Sequence, residues 1–95
     1  MIEFPLSWNL TRSENRLLEA IYTACPNAAP LIDCQRALWP DGRLPSDPKQ
    51  NMLVQASRLR RKTNPLGITI NNRRGLGYYI TADDKAVIAK LAGAG

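Results

Sequence analysis

The chain opens with an alternation of apolar and polar positions. Every second residue is apolar: Phe4, Leu6, Trp8 and Leu10. A period of two is typical of a β-strand, and Pro5 would restrict such a strand to the edge of a sheet. We therefore predict a short N-terminal edge strand or an irregular lead-in.

Helical spacing begins at residue 11. Thr11 and Glu14 fit a capping box, in which each side chain accepts a hydrogen bond from the backbone N–H of the other residue. Apolar residues then recur on one helical face: Leu17, Leu18, Ile21, Tyr22 and Cys25. The stripe predicts a helix with one buried side, which Pro26 and Asn27 end.

A shorter helix is predicted from Cys34 to Trp39. Asp33 is a suitable N-cap, and the Pro-Asp-Gly run at 40–42 stops the helix. Residues 28–32 form a short connection with extended character at Leu31 and Ile32. A loop with two prolines covers residues 43–48.

The longest helix is predicted over residues 49–64. Its inner face carries apolar residues and one threonine at helical spacing, widened by Leu53: Met52, Ala56, Leu59 and Thr63. The opposite side is polar and basic, with one valine: Asn51, Val54, Gln55, Arg58, Arg61 and Lys62. This division predicts one face packed on the domain and one face in water.

Two strands and a last helix follow. Residues 68–70 and 77–80 are rich in β-formers and flank a turn at 71–75, which predicts a hairpin. Residues 81–84 can cap a final helix that carries Val87, Ile88 and Leu91; this helix either packs back on the domain or forms a dimer seam. The predicted class is α+β, mainly α: a winged helix-turn-helix with three helices, a C-terminal hairpin and a short N-terminal strand. Its domain spans 1–82, and 83–95 form a tail.

Positive charge is concentrated in one stretch. The net charge is +5, yet residues 48–82 contain no Asp or Glu and seven basic residues: Lys49, Arg58, Arg60, Arg61, Lys62, Arg73 and Arg74. The rest of the chain has six basic and eight acidic residues, a net charge of −2. Such a patch attracts polyanions; charge alone favours nucleic-acid binding and a solvated basic surface equally.

The composition argues against several other classes. The chain has no histidine and only two cysteines, Cys25 and Cys34, which we interpret as buried apolar residues. We find no set of residues for a metal, a cofactor or a catalytic nucleophile with its base. The glycines at 75 and 77 lack the third glycine of a dinucleotide loop. No apolar run is long enough for a membrane helix, and no secretion signal opens the chain, so we expect a cytoplasmic protein.

The basic stretch has the residue types that read duplex DNA. Asn and Gln side chains pair with adenine, and Arg pairs with guanine, in the major groove. Val54 can contact a thymine methyl group. Arg73 and Arg74, near the hairpin tip, suit a narrow minor groove, and only one of them can point to a given face of a regular strand.

Four segments of the chain together resemble the winged-helix DNA-binding (effector) domain of OmpR/PhoB-type response regulators. They are Leu-Thr-Arg-Ser-Glu at 10–14 followed by Leu-Leu at 17–18, Leu-Trp at 38–39, Arg-Leu-Arg-Arg-Lys at 58–62 and Arg-Arg-Gly-Leu-Gly-Tyr at 73–78. The resemblance covers roughly residues 10–80.

The resemblance implies specific DNA contacts. In the recognition helix these are Gln50, Asn51, Val54, Gln55, Ser57, Arg58 and Arg61 or Lys62; in the wing they are Asn72 and Arg74. With Lys49 and Arg73 from the charge pattern, they form the predicted DNA-binding set. The loop at 40–48 resembles the segment that meets RNA polymerase in some family members, and a homodimer on DNA is a further expectation.

The chain departs from the family pattern at several points. About ten residues precede the first helix, where the family usually has a four-stranded sheet and, before it, a phosphorylatable receiver domain. Leu53 and Tyr79 replace residues that are acidic and basic in many members. Two interpretations stay open: an excised domain, or a standalone small regulator of a phage-like or accessory kind. The alternative function is a winged-helix module that binds the transcription machinery or another protein instead of DNA.

Overall fold

The computed structural model describes residues 3–92 as an α+β structure that is mainly helical. Its four α-helices are α1 (Arg12–Ala24), α2 (Leu31–Leu38), α3 (Pro48–Thr63) and α4 (Ala82–Leu91). Its three short strands are β1 (Ala29–Pro30), β2 (Asn71–Arg73) and β3 (Gly77–Tyr79). They form one antiparallel sheet in the order β1-β3-β2.

The predicted N-terminal strand is wrong. Residues Leu6–Trp8 form a 3₁₀ helix, which Asn9 ends in a left-handed conformation at φ 58°. The turn brings Phe4 onto Trp8, with the rings stacked 5.5 Å apart and 12° from parallel. Both rings are buried, whereas Leu6 is 98% exposed. The segment thus buries two aromatic rings four residues apart, whereas a strand would have buried every second residue.

The predicted capping box of α1 and the predicted cap of α4 are confirmed, and the cap of α4 is also a capping box. The hydroxyl of Thr11 accepts from the Glu14 N–H, and that of Thr81 accepts from the Asp84 N–H, both at 3.1 Å. α4 then packs on the domain, because Ile88 is buried and Val87 lies against the core. Leu91 remains 47% exposed.

The start of α2 differs from the prediction. The N-cap is Pro30, and Asp33 lies inside the first turn. The helix begins early because the Leu31 N–H donates to the Leu76 carbonyl at 3.0 Å, which satisfies one of the free donors at its start. Leu31 and Ile32 are therefore helical, and Ala29 and Pro30 form β1, a strand that the sequence pattern did not predict.

The hairpin is present, but its first strand lies three residues later than predicted. β2 begins at Asn71, and residues 68–70 lie outside the ladder although Ile68 and Ile70 are buried. The Ile70 carbonyl accepts instead from Arg60 Nε at 2.8 Å. A side chain thus takes the hydrogen bond that a longer strand would have made.

The core lies among the helices and the inner face of the sheet. The predicted inner stripe of α3 is confirmed, since Met52, Ala56, Leu59 and Thr63 are all buried. Leu53 is 48% exposed, so it does not widen that face. Trp8 and Tyr78 are core residues, Trp39 packs at the edge of the core, and Cys25 and Cys34 are buried free thiols.

Candidate nucleic-acid interface

The outer face of α3 presents a row of exposed residues. Gln50, Val54 and Arg58 follow one another at intervals of four, and Arg61 lies three residues further. At 3.6 residues per turn these positions lie on the side opposite the buried stripe. The helix therefore offers amide, aliphatic and guanidinium groups along one exposed line.

Backbone capping sets the start of α3. The Asp47 carboxylate accepts from the Gln50 N–H at 3.2 Å, and Pro48 occupies the first turn, where its missing N–H costs nothing. The Asn51 side-chain amide donates to the Asp47 carbonyl at 3.2 Å. Lys49 and the Gln50 side chain are exposed on this first turn.

The basic run at 58–62 divides into two classes of residue. Arg60 donates from Nε to the Ile70 carbonyl, on the side of α3 that faces the hairpin. Lys62 donates from Nζ to Glu14 Oε1 and, at 2.8 Å, to the Asn9 carbonyl, on the side that faces α1. Arg58 and Arg61 are exposed, and neither contacts an acceptor among residues 3–92.

Glu14 is a buried carboxylate held by several donors. Its side chain is 1% exposed and accepts from the Thr11 N–H at 2.7 Å as well as from Lys62. Burial alone raises the pKa of Glu14, but the hydrogen bonds from Lys62 and Thr11 and the charge of Lys62 outweigh it. The pKa is therefore lowered from its ordinary value of 4.5. A charged Glu14 fixes Lys62 within the protein.

Gln55 and Ser57 lie half-buried on the two flanks of the exposed row. Their positions still border the outer face of α3. Of the predicted helix residues, the structure thus brings Gln50, Val54, Arg58 and Arg61 together, whereas Lys62 is engaged with Glu14.

The hairpin carries its basic residues at a tight turn. The Leu76 N–H donates to the Arg73 carbonyl at 2.9 Å, and Gly75 adopts a positive φ of 78° within the turn. Arg74 and Asn72 are exposed, and Arg74 has no acceptor in the described part of the chain. The Arg73 guanidinium lies 4.9 Å from the centre of the Tyr79 ring.

Backbone contact with β1 holds the hairpin in place. Gly77 lies opposite Pro30, and a Cβ atom at Gly77 would come 1.7 Å from the Ala29 carbonyl oxygen. Only a glycine allows the two strands to approach so closely. The glycine at 77 was visible in the sequence, but its partner strand was not.

Two residues that shape this surface were not predicted from the sequence pattern. Asn9 and Glu14 together receive the Lys62 ammonium from positions distant in sequence. The capping box drew attention to Glu14, yet a local motif contains no information on a partner 48 residues away.

Comparison with protein-family models, curated proteins and solved structures finds no match for this chain. No group of three or more His, Cys, Asp or Glu side chains within residues 3–92 is arranged to hold a metal ion. No helix in the same range is both long and apolar enough to cross a membrane.

Proposed function

We propose that this chain is a winged-helix domain that binds double-stranded DNA sequence-specifically, as a small transcriptional regulator. α3 enters the major groove by its outer face, and the β2–β3 hairpin reaches an adjacent minor groove. One observation carries the proposal: Arg58, Arg61 and Arg74 are exposed without an acceptor in the described chain, while Arg60 and Lys62 are used for internal contacts.

The topology supports the winged-helix part of the proposal. A strand lies between the first two helices and pairs with the hairpin that follows the third helix. This arrangement is compatible with a winged helix, in which the third helix is the recognition helix and the hairpin is the wing. The segments that resemble OmpR/PhoB-type effector domains fall at the start of α1, the end of α2, the second half of α3 and the hairpin.

The exposed row of α3 supports base reading. Gln50 offers an amide that can pair with adenine, and Arg58 or Arg61 can pair with guanine. Val54 is 38% exposed between them and can contact a thymine methyl group. Arg74, at the hairpin turn, can enter the negative potential of a narrow minor groove. The remaining contacts position the domain on phosphates.

Selection of bound sequences from random duplex DNA tests the proposal. We expect an enriched motif, and binding that weakens steeply with salt because Lys and Arg displace condensed counterions. Arg58→Ala should relax the motif at one position and weaken binding by about 1–3 kcal/mol. Arg36→Ala, an exposed basic residue on α2, is the matched control and should leave the motif unchanged. Undetectable binding to any duplex at low salt would contradict the proposal.

A protein-interaction module is the second candidate, and exposed apolar side chains favour it. Leu31, Ile32 and Leu76 are 38%, 50% and 58% exposed, and a backbone hydrogen bond joins Leu31 to Leu76. The loop before α3 adds Leu44 at 46% exposure. A partner that binds wild type and the double variant Arg58→Ala/Arg74→Ala equally, but not Ile32→Ser, would favour this function over DNA binding.

A further inference from the structure

Arg73 and Tyr79 share the outer face of the hairpin. Tyr78 is buried on the inner face, so Tyr79 belongs to the other face of β3. The register pairs Arg73 with Gly77 and Asn71 with Tyr79. Arg73 and Tyr79 are therefore diagonal neighbours, within reach of long side chains.

The neighbours explain why the guanidinium of Arg73 lies on the tyrosine ring. Gly77, directly across from Arg73, has no side chain that could compete with the Tyr79 ring for the guanidinium, and its Cβ position points at the Ala29 carbonyl of β1, away from β2. The guanidinium carbon lies 4.9 Å from the ring centre, within the range of a cation–π contact.

This stack leaves the donors of Arg73 free. A guanidinium has five N–H groups in a planar fork, and a contact with an aromatic ring pairs none of them with an oxygen acceptor. None of these donors meets an acceptor within residues 3–92. The side chain is thus oriented by an aromatic ring and still able to bind a phosphate by two hydrogen bonds.

We propose that the Arg73–Tyr79 stack is a preorganised phosphate-binding site on the outer face of the hairpin, with Tyr79 as the positioning residue. The inference rests on the proposed DNA binding and deepens it. Arg73 contacts the DNA backbone without regard to sequence, while Arg74 enters the groove. The Tyr79 ring restricts the orientations of Arg73 before DNA binds. Less side-chain entropy is therefore lost on binding, and the affinity increases.

Affinities for short duplexes of mixed sequence, measured at several salt concentrations, test the role of each residue. Arg73→Ala should reduce the slope of log affinity against log salt by about 0.9, the value for one phosphate. Tyr79→Leu, which removes the ring, should weaken binding about two- to fivefold, the equivalent of an exposed cation–π contact. Tyr79→Phe keeps the ring and should bind as wild type does.

Double variants separate positioning from other roles. Tyr79→Leu should have no effect when Arg73 is already alanine, but its full effect when Arg74 is alanine. An equal loss in both backgrounds would overturn the inference, as would a loss in Tyr79→Phe as large as in Tyr79→Leu. If wild type binds DNA and Tyr79→Leu binds with the same affinity, this inference alone is overturned. If wild-type binding is undetectable at low salt, the proposed function is overturned as well. Equal thermal unfolding midpoints for Tyr79→Leu and Tyr79→Phe exclude misfolding as the cause.

Discussion

The basic residues of α3 and those of the hairpin turn differ in how far contacts within the protein engage them. In α3, helical periodicity aims neighbouring residues in different directions, so Arg60 and Lys62 meet acceptors on opposite flanks while Arg58 and Arg61 face outward. The hairpin offers no buried acceptor to its arginines. Arg73 lies on an aromatic ring with its donors free.

A count of basic residues therefore overstates the size of a binding surface. Two of the seven cations in residues 48–82 support the structure, and both stand in the segment that is most basic in sequence. Because of this division, changes in α3 should affect stability at some positions and DNA binding at others. The hairpin arginines should affect binding alone.

The largest expected effect is on stability, in Lys62→Met. The change leaves the carboxylate of Glu14 buried without its cation, and breaking a fully buried pair costs about 3–5 kcal/mol. Since Lys62 keeps 28% exposure, we expect a loss of about 2–3 kcal/mol in the free energy of unfolding, measured by urea denaturation.

Arg61→Met is the matched control for Lys62→Met. It removes an adjacent cation that has no internal acceptor in the described chain, so its stability should stay within about 0.5 kcal/mol of wild type. Equal losses in the two variants would show that the two classes of basic residue in α3 do not exist.

The next largest effect is expected from Gly77→Ala, which tests what holds the hairpin. The new methyl group would lie 1.7 Å from the Ala29 carbonyl oxygen, so β1 and β3 must separate. We expect a loss of about 2 kcal/mol, as for other forced overpacking. Gly75→Ala has open space around the new methyl group, so only the positive φ of residue 75 should reduce the stability, by about 1 kcal/mol. A smaller loss at Gly77 than at Gly75 would contradict this account.

The sequence predicted the elements whose signals are local. α1 and α4 begin with capping boxes, and α3 has its buried residues at helical spacing, so neighbouring residues alone defined them. β1 has only two residues, and its existence depends on Gly77 nearly half the chain away. No local pattern can indicate such a strand, and the same is true of the Phe4–Trp8 stack that replaced the predicted N-terminal strand.

The candidate site follows the same rule. Periodicity placed Val54, Arg58 and Arg61 on the outer face of the helix, the resemblance added Gln50, and all four are exposed on that face in the structure. The engagement of Lys62 depends on Glu14 and Asn9, and that of Arg60 on Ile70, all through tertiary contacts. A sequence pattern shows which residues share a face of a helix, but not which neighbours that face will meet.

The smallest expected effect is a dependence of stability on acid pH. Because the pKa of Glu14 is lowered in the folded chain, the unfolded chain binds a proton first as pH falls below about 5. Stability from this group is present above pH 4.5 and is lost as pH falls through the folded pKa. Lys62→Met removes the hydrogen bond and the charge of Lys62 that lower the pKa of Glu14, and leaves the hydrogen bonds with Thr11 to oppose burial, which raises it. The stabilising contribution of Glu14 should then shrink, so that the variant loses less stability than wild type between neutral and acid pH. Denaturation midpoints across that range measure the difference, and Glu14→Gln should abolish it in both backgrounds. Parallel pH profiles for wild type and Lys62→Met would mean that Lys62 is not held by Glu14, and would return it to the exposed class with Arg58 and Arg61.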